Sequence, residues 1–173
     1  RHGSGATGRT TRHSLRTTYA PTPAPSIGAQ HMNTSERITI SAFVNRPVDI
    51  VWTSWTDPVH ITKWNAASDD WHCPTATNDL RTGGSFSATM AARDGSFSFD
   101  FGGVYDDVEL HKRIAYTMAD GRTCEVTFAE VGGGTLVTES FDAEDQHPVE
   151  MQRGGWQAIL DRFKLYTEER ASS

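Results

Sequence analysis

The chain has 173 residues, 36% of them hydrophobic, with 16 Lys and Arg against 22 Asp and Glu and a formal net charge of −6. Four of the arginines and none of the acids fall in residues 1–31, so residues 32–173 carry 12 bases against 22 acids, net −10. A domain this acidic is a poor partner for nucleic acid or anionic lipid, and no apolar run approaches the ~20 residues of a membrane span.

Residues 1–31 are rich in Ser, Thr, Gly and Pro. They hold too little apolar surface to offset the entropy of ordering, and disorder is expected. The segment closes on His31-Met32, the pair a cloning site leaves before a native start, so a vector-derived leader is expected. An Arg-rich, acid-free transit peptide is the competing reading. Residues 32–173 are then long enough for one domain with a sizeable core.

The first strand is expected over Arg37 to Val44, where Ile38, Ile40, Ala42 and Val44 alternate with Thr39, Ser41 and Phe43. Two short helices follow. Pro47 and Pro58 suit first helical turns, and Asp57 suits the N-cap of the second. Trp52, Trp55 and Trp64 are too many tryptophans for a short connector unless it covers something apolar, which suggests a lid over a cavity.

From Trp71 to Phe141 the pattern is an antiparallel meander, with turns at Thr82-Gly83-Gly84, Arg93-Asp94-Gly95, Asp120-Gly121 and Gly132-Gly133-Gly134. Period-two alternation puts Phe86, Ala88 and Met90 on one face, with Phe97, Phe99, Phe101 and Tyr105. Ile114, Tyr116 and Met118 continue that face, as do Cys124, Val126 and Phe128. The other face is polar and wet. Gly102-Gly103 predicts a bulge or sharp bend. The chain ends in a helix from about Pro148 to Glu169, with Val149, Gln152, Trp156, Leu160 and Phe163 on one stripe. A curved sheet must cover its apolar face, and this helix is the long element available to do so. The class is α+β.

The segments Pro47…Val51-Trp52…Trp55-Thr56-Asp57-Pro58…Trp64, then Asp79-Leu80-Arg81-Thr82-Gly83-Gly84-Ser85-Phe86, then Gly103-Val104-Tyr105, then Gly155-Trp156-Gln157-Ala158-Ile159-Leu160-Asp161-Arg162 occur in that order. Together they resemble the activator-of-Hsp90-ATPase homologue-like proteins of the START-like (SRPBCC) superfamily, over roughly Glu36 to Glu168. The resemblance implies a helix-grip fold: a curved seven-stranded antiparallel sheet around the C-terminal helix, with two short helices between strands one and two. Two departures stand out. Trp64-Asn65 replaces a Trp-Trp pair, which widens or wets the expected cavity mouth. The eukaryotic chaperone activators carry an N-terminal domain to which no part of this sequence corresponds.

A helix-grip sheet stands off its helix, so the expected pocket is walled by Phe86, Met90, Phe99, Phe101, Tyr105, Tyr116, Phe128 and Trp156. Gln152 and Leu160 are expected beside Trp156, with Trp52 and Trp64 at the mouth. A volume of roughly 300–1,000 Å³ would be normal. From residue types alone these positions favour solid core; the resemblance is what favours a cavity. Gly154-Gly155 inside the helix fits either a space or a close approach. Glu139 shares parity with Val137 and Phe141. If it points inward it is a proton donor or polar anchor with a raised pKa; after a register shift it is an ordinary exposed glutamate. His72 is a weak candidate base, expected at the rim.

Cys73 and Cys124 have no metal-type spacing, and a reduced, cytoplasmic protein without metal or cofactor is expected. No Ser-His-Asp set or phosphate loop appears. The leading expectation is a carrier or sensor of a small hydrophobic molecule. The alternatives are a cyclase, dehydratase or isomerase acting on a polyketide-like or aromatic substrate, using Glu139, His72, Tyr105 or Tyr116 for proton transfer, and a co-chaperone that contacts a chaperone directly.

Overall fold

The computed structural model describes residues 36–170; the expected leader lies outside them. Strand β1 (Arg37–Val44) is followed by α1 (Val48–Thr56) and α2 (Pro58–Trp64). Next come β2 (Trp71–His72), β3 (Ala76–Asn78), β4 (Ser85–Ala92), β5 (Ser98–Glu109), β6 (Arg113–Met118), β7 (Thr123–Val131) and β8 (Gly134–Asp142), and the chain closes with α3 (Val149–Glu169).

All pairings are antiparallel, in the order β1-β8-β7-β6-β5-β4-β2, with β3 also on β4. β2 and β3 are one edge strand broken at Pro74: Trp71 faces Ala92 and Ala76 faces Ala88. A proline has no N–H for the ladder, which is why the break falls there. The layer is therefore seven strands wide, curled into a half-barrel.

Local chemistry sets these elements. The Asp57 carboxylate accepts from the Val59 N–H at 2.9 Å with Pro58 at the first helical position, as the sequence predicts. Pro47 is the N-cap of α1 rather than a first-turn residue. Asp120-Gly121 closes the β6–β7 hairpin with Gly121 at φ +89°, which a side-chain-bearing residue would resist.

Gly102-Gly103 is not a bulge. Its pairing with β4 runs without interruption, and the register shift falls between Tyr105 and Asp107 instead. The two glycines answer a different need. A Cβ on Gly102 would strike the Phe86 carbonyl, and one on Gly103 the Thr117 carbonyl. Neighbouring strands close in on this point as the sheet coils.

The inner face is apolar as the alternation predicts, with Ile38, Val44, Ile114, Val126, Val137 and Phe141 almost wholly buried. Phe97 is the exception. It precedes β5 and is 45% exposed, packed edge-on against Trp71.

Helix α3 lies closest to β1 and stands away from β4–β6. It also covers the open edge of the sheet. Arg153 Nη1 donates to the Thr39 carbonyl at 3.0 Å, Gln157 Nε2 to Ser41 at 3.2 Å, and Lys164 Nζ to Phe43. Those are alternate carbonyls of the edge strand, which would otherwise template pairing with another chain. Among the described residues no helix is long and apolar enough to cross a membrane.

Candidate functional site

Where α3 stands off, the sheet and helix bound a partly open cavity of about 190 Å³. Its walls come from four places. The sheet gives Phe86, Met90, Phe99, Phe101, Tyr105, Ile114, Tyr116, Met118 and Glu139; the helix gives Gly155, Trp156 and Ile159. The short helices give Trp55, Ile61 and Trp64, and the far end is edged by Asp120, Arg122 and Glu144.

The aromatic rings hold one another in place. Phe86 packs on Tyr105 (5.0 Å between centroids) and edge-on to Tyr116 (4.8 Å). Phe101 meets Trp156 edge-on at 5.9 Å, bridging sheet to helix. Trp156 also stacks on Phe141 at 3.8 Å with 13° between planes. That stack fills part of the space, so the cavity is smaller than the 300–1,000 Å³ expected of such pockets.

The polar atoms in the wall are unequal. The Tyr105 hydroxyl donates to Asn78 Oδ1 at 2.5 Å, and Asn78 Nδ2 donates to the Thr56 carbonyl at 2.7 Å, tying the wall to the end of α1. Tyr116 lies opposite Cys124 across β6 and β7, and burial pushes the pKa of both upward. Glu139, between Ile40 and Val126 on the inner face, is 5% exposed. Its carboxyl makes no hydrogen bond to another described residue, and burial alone raises its pKa from 4.5 to about 8. An isolated carboxyl in a low-dielectric site gives up its charge. Near neutrality Glu139 is predominantly the acid, a hydrogen-bond donor facing a cavity.

Nine of the expected residues converge here: Trp64, Phe86, Met90, Phe99, Phe101, Tyr105, Tyr116, Glu139 and Trp156. The structure places five elsewhere. Trp52 is buried against Phe128 (5.1 Å) and His111 (5.8 Å), so both Trp52 and Phe128 belong to the anchor of α1 on β7. Gln152 is fully buried, but its amide binds the Glu144 and His147 backbone and fixes the loop before α3. Leu160 lies in the main core. His72 pairs with Ala91 at the sheet edge, outside the cavity wall.

Trp55, expected in the lid, and Gly155, expected at a space or a close approach, both line the cavity, and Ile61, Asn78, Met118 and Ile159 join the wall without having been expected there. Met118 shares parity with Ile114 and Tyr116, so alternation could have supplied it. Asn78, on a three-residue strand, had no such signal. The short helices are pinned rather than free. Trp64 Nε1 donates to the Ser54 carbonyl at 2.8 Å, and Arg170 Nε to Ser54 Oγ at 2.7 Å. Half-buried His60 bonds the Tyr166 hydroxyl at 2.6 Å.

A half-barrel that holds its long helix at a distance, with two tryptophan-bearing helices closing one end, is the START/SRPBCC arrangement. The model of the activator of Hsp90 ATPase homolog 1-like family matches residues 45–168, and the chain belongs to that family. It is similar to the AHSA1-like protein from Aeromonas hydrophila, with 44% identity over 80% of this chain and 99% of that one, at a TM-score of 0.73. A protein of Cytophaga hutchinsonii shares 48% identity over 79% of this chain and 97% of its own, at 0.68. CalU16 from Micromonospora echinospora shares 26% over 78% of each chain, at 0.58. No curated protein matches. The fold commonly binds hydrophobic ligands.

Proposed function

We propose that this protein binds a small hydrophobic molecule between the concave sheet and α3, as a carrier or sensor. The observation that carries this reading is the aromatic cavity of about 190 Å³, walled from three sides by Phe86, Phe101, Tyr105, Tyr116 and Trp156, with Trp64 at one end. Apolar burial drives such binding at about 25 cal/mol per Å², less the cost of association and of ordering side chains. Met90, Phe99 and Ile159 extend the apolar wall, and Glu139 gives the guest a fixed polar point. The free, buried thiols Cys73 and Cys124 suit a reducing compartment such as the cytoplasm.

A second reading is favoured by Glu139 itself. A cavity-facing carboxyl with a pKa near 8 is suited to proton transfer in a cyclase, dehydratase or isomerase. The family's name raises a third role, contact with a chaperone ATPase.

Native mass spectrometry of the protein taken undenatured from its host separates these roles. The carrier reading expects a bound compound of one or two rings that is released unchanged. Recovery of a chemically transformed compound favours the enzyme, and protein recovered empty but with a chaperone favours the third role.

A further inference from the structure

The dimensions and polarity of the cavity restrict its guest further, an inference that rests on the carrier reading. An apolar cavity of about 150 Å³ takes benzene. The space here is about 190 Å³, so it suits a compact guest of one or two rings rather than a long acyl chain.

The charges around the wall set a second restriction. Asp100, Asp120, Glu139 and Glu144 are in the lining, with Arg122 as its cation. Arg122 is already committed, Nε to Asp120 at 2.7 Å and Nη1 to the Asp142 carbonyl at 3.4 Å. A carboxylate guest would lose its hydration beside acids, facing an arginine that is already paired. An amine guest meets the opposite difficulty. It would have to shed its own water while forcing Glu139 to ionise among Ile40, Val126, Tyr116 and Cys124, and desolvating two charges commonly outweighs their mutual attraction. A neutral acceptor carries neither cost. Tyr105 already donates to Asn78 and Tyr116 lies against the Cys124 thiol, while Glu139 is the buried carboxyl of the wall and has no hydrogen-bond partner among the described residues.

We infer that Glu139 is the specificity-determining residue of the cavity, donating one hydrogen bond to compact, uncharged, ring-bearing ligands that carry a carbonyl-type acceptor, and rejecting carboxylates and amines of the same shape.

Four naphthalenes of matched shape test this by calorimetric or fluorescence titration at neutral pH: 2-acetylnaphthalene, 2-ethylnaphthalene, 2-naphthoate and 2-(aminomethyl)naphthalene. The wild type binds the ketone about tenfold more tightly than the ethyl compound, about the worth of one hydrogen bond. It binds both charged analogues more weakly than either. Glu139→Gln, whose amide also donates, keeps the ketone's advantage. Glu139→Leu loses it while still binding the ethyl compound, which shows that its cavity has formed.

Equal affinity for ketone and ethyl compound in the wild type overturns the assignment, as does an advantage that survives in Glu139→Leu. A charged analogue that matches the ketone also overturns it. In each of these cases binding itself persists and the carrier reading stands. If the wild type binds none of the four, both fall together.

Discussion

Replacing Phe163 with alanine is expected to destabilise the protein by about 3–5 kcal/mol, the range for deleting a buried aromatic ring and leaving a void. Phe163 is wholly buried, and its ring meets Trp55 at 4.9 Å and Trp64 at 5.0 Å, both edge-on. Those tryptophans also stack on each other at 5.1 Å and line the cavity. The ring is thus the point where α3 holds the two short helices against the sheet. Its loss should lower the melting temperature by roughly 10 °C in a chain of this size and weaken ligand binding as well, because two wall residues lose their support. Leu165, on the same helix but 58% exposed, is the control: Leu165→Ala should change stability by less than about 0.5 kcal/mol. Urea unfolding of both variants decides the matter. A Phe163→Ala protein as stable as Leu165→Ala would mean that the lid is held by something else.

Glu139→Gln is expected to change how stability depends on pH. The carboxyl keeps its proton up to about pH 8 in the folded protein and up to about 4.5 in an unstructured chain. Between those values the folded state binds more protons, so stability falls as pH rises through the window. This contribution is complete below about 4.5 and gone above about 8. Tyr116 and Cys124, the titratable groups facing it from β6 and β7, are pushed upward and stay neutral throughout. The slope is at most about 1.4 kcal/mol per pH unit. Glutamine is neutral at every pH and lacks the slope, so the variant should gain on the wild type by about 4 kcal/mol between about pH 5 and 8.5. Parallel urea series at the two pH values read this difference directly. An unchanged difference would place an ionised, solvated carboxylate at position 139.

Much of the fold was legible because alternation is a local signal that several strands follow along their whole length. Ile38 to Val44 and Ile114 to Met118 bury the residues that period two selects. The Asp57-Pro58 boundary was legible for the same reason: capping is decided within four residues. The site was legible in part. Parity brought Phe86, Phe101, Tyr105 and Glu139 to one face, but it could not separate cavity wall from filled core. That distinction depends on how far α3 stands from each strand. Trp52, Phe128 and Leu160 have the same sequence character as Trp64, Phe101 and Ile159, yet they sit where the elements close together. Gln152 misled for a different reason: its buried amide answers backbone groups of the preceding loop, a partnership with no periodic signature. The bulge was misplaced because glycine marks either a bulge or a close approach, and only three-dimensional neighbours tell them apart.

The most direct measurement is an isotope-filtered nuclear Overhauser experiment on the labelled protein with 2-acetylnaphthalene. If guests occupy the interior, the naphthalene protons should show cross-peaks to the Met90, Met118 and Ile159 methyls, all of which line the cavity. Cross-peaks confined to exposed methyls such as Val59 and Leu165, with the interior methyls silent at saturating ligand, would mean that the half-barrel's rings are simply a core.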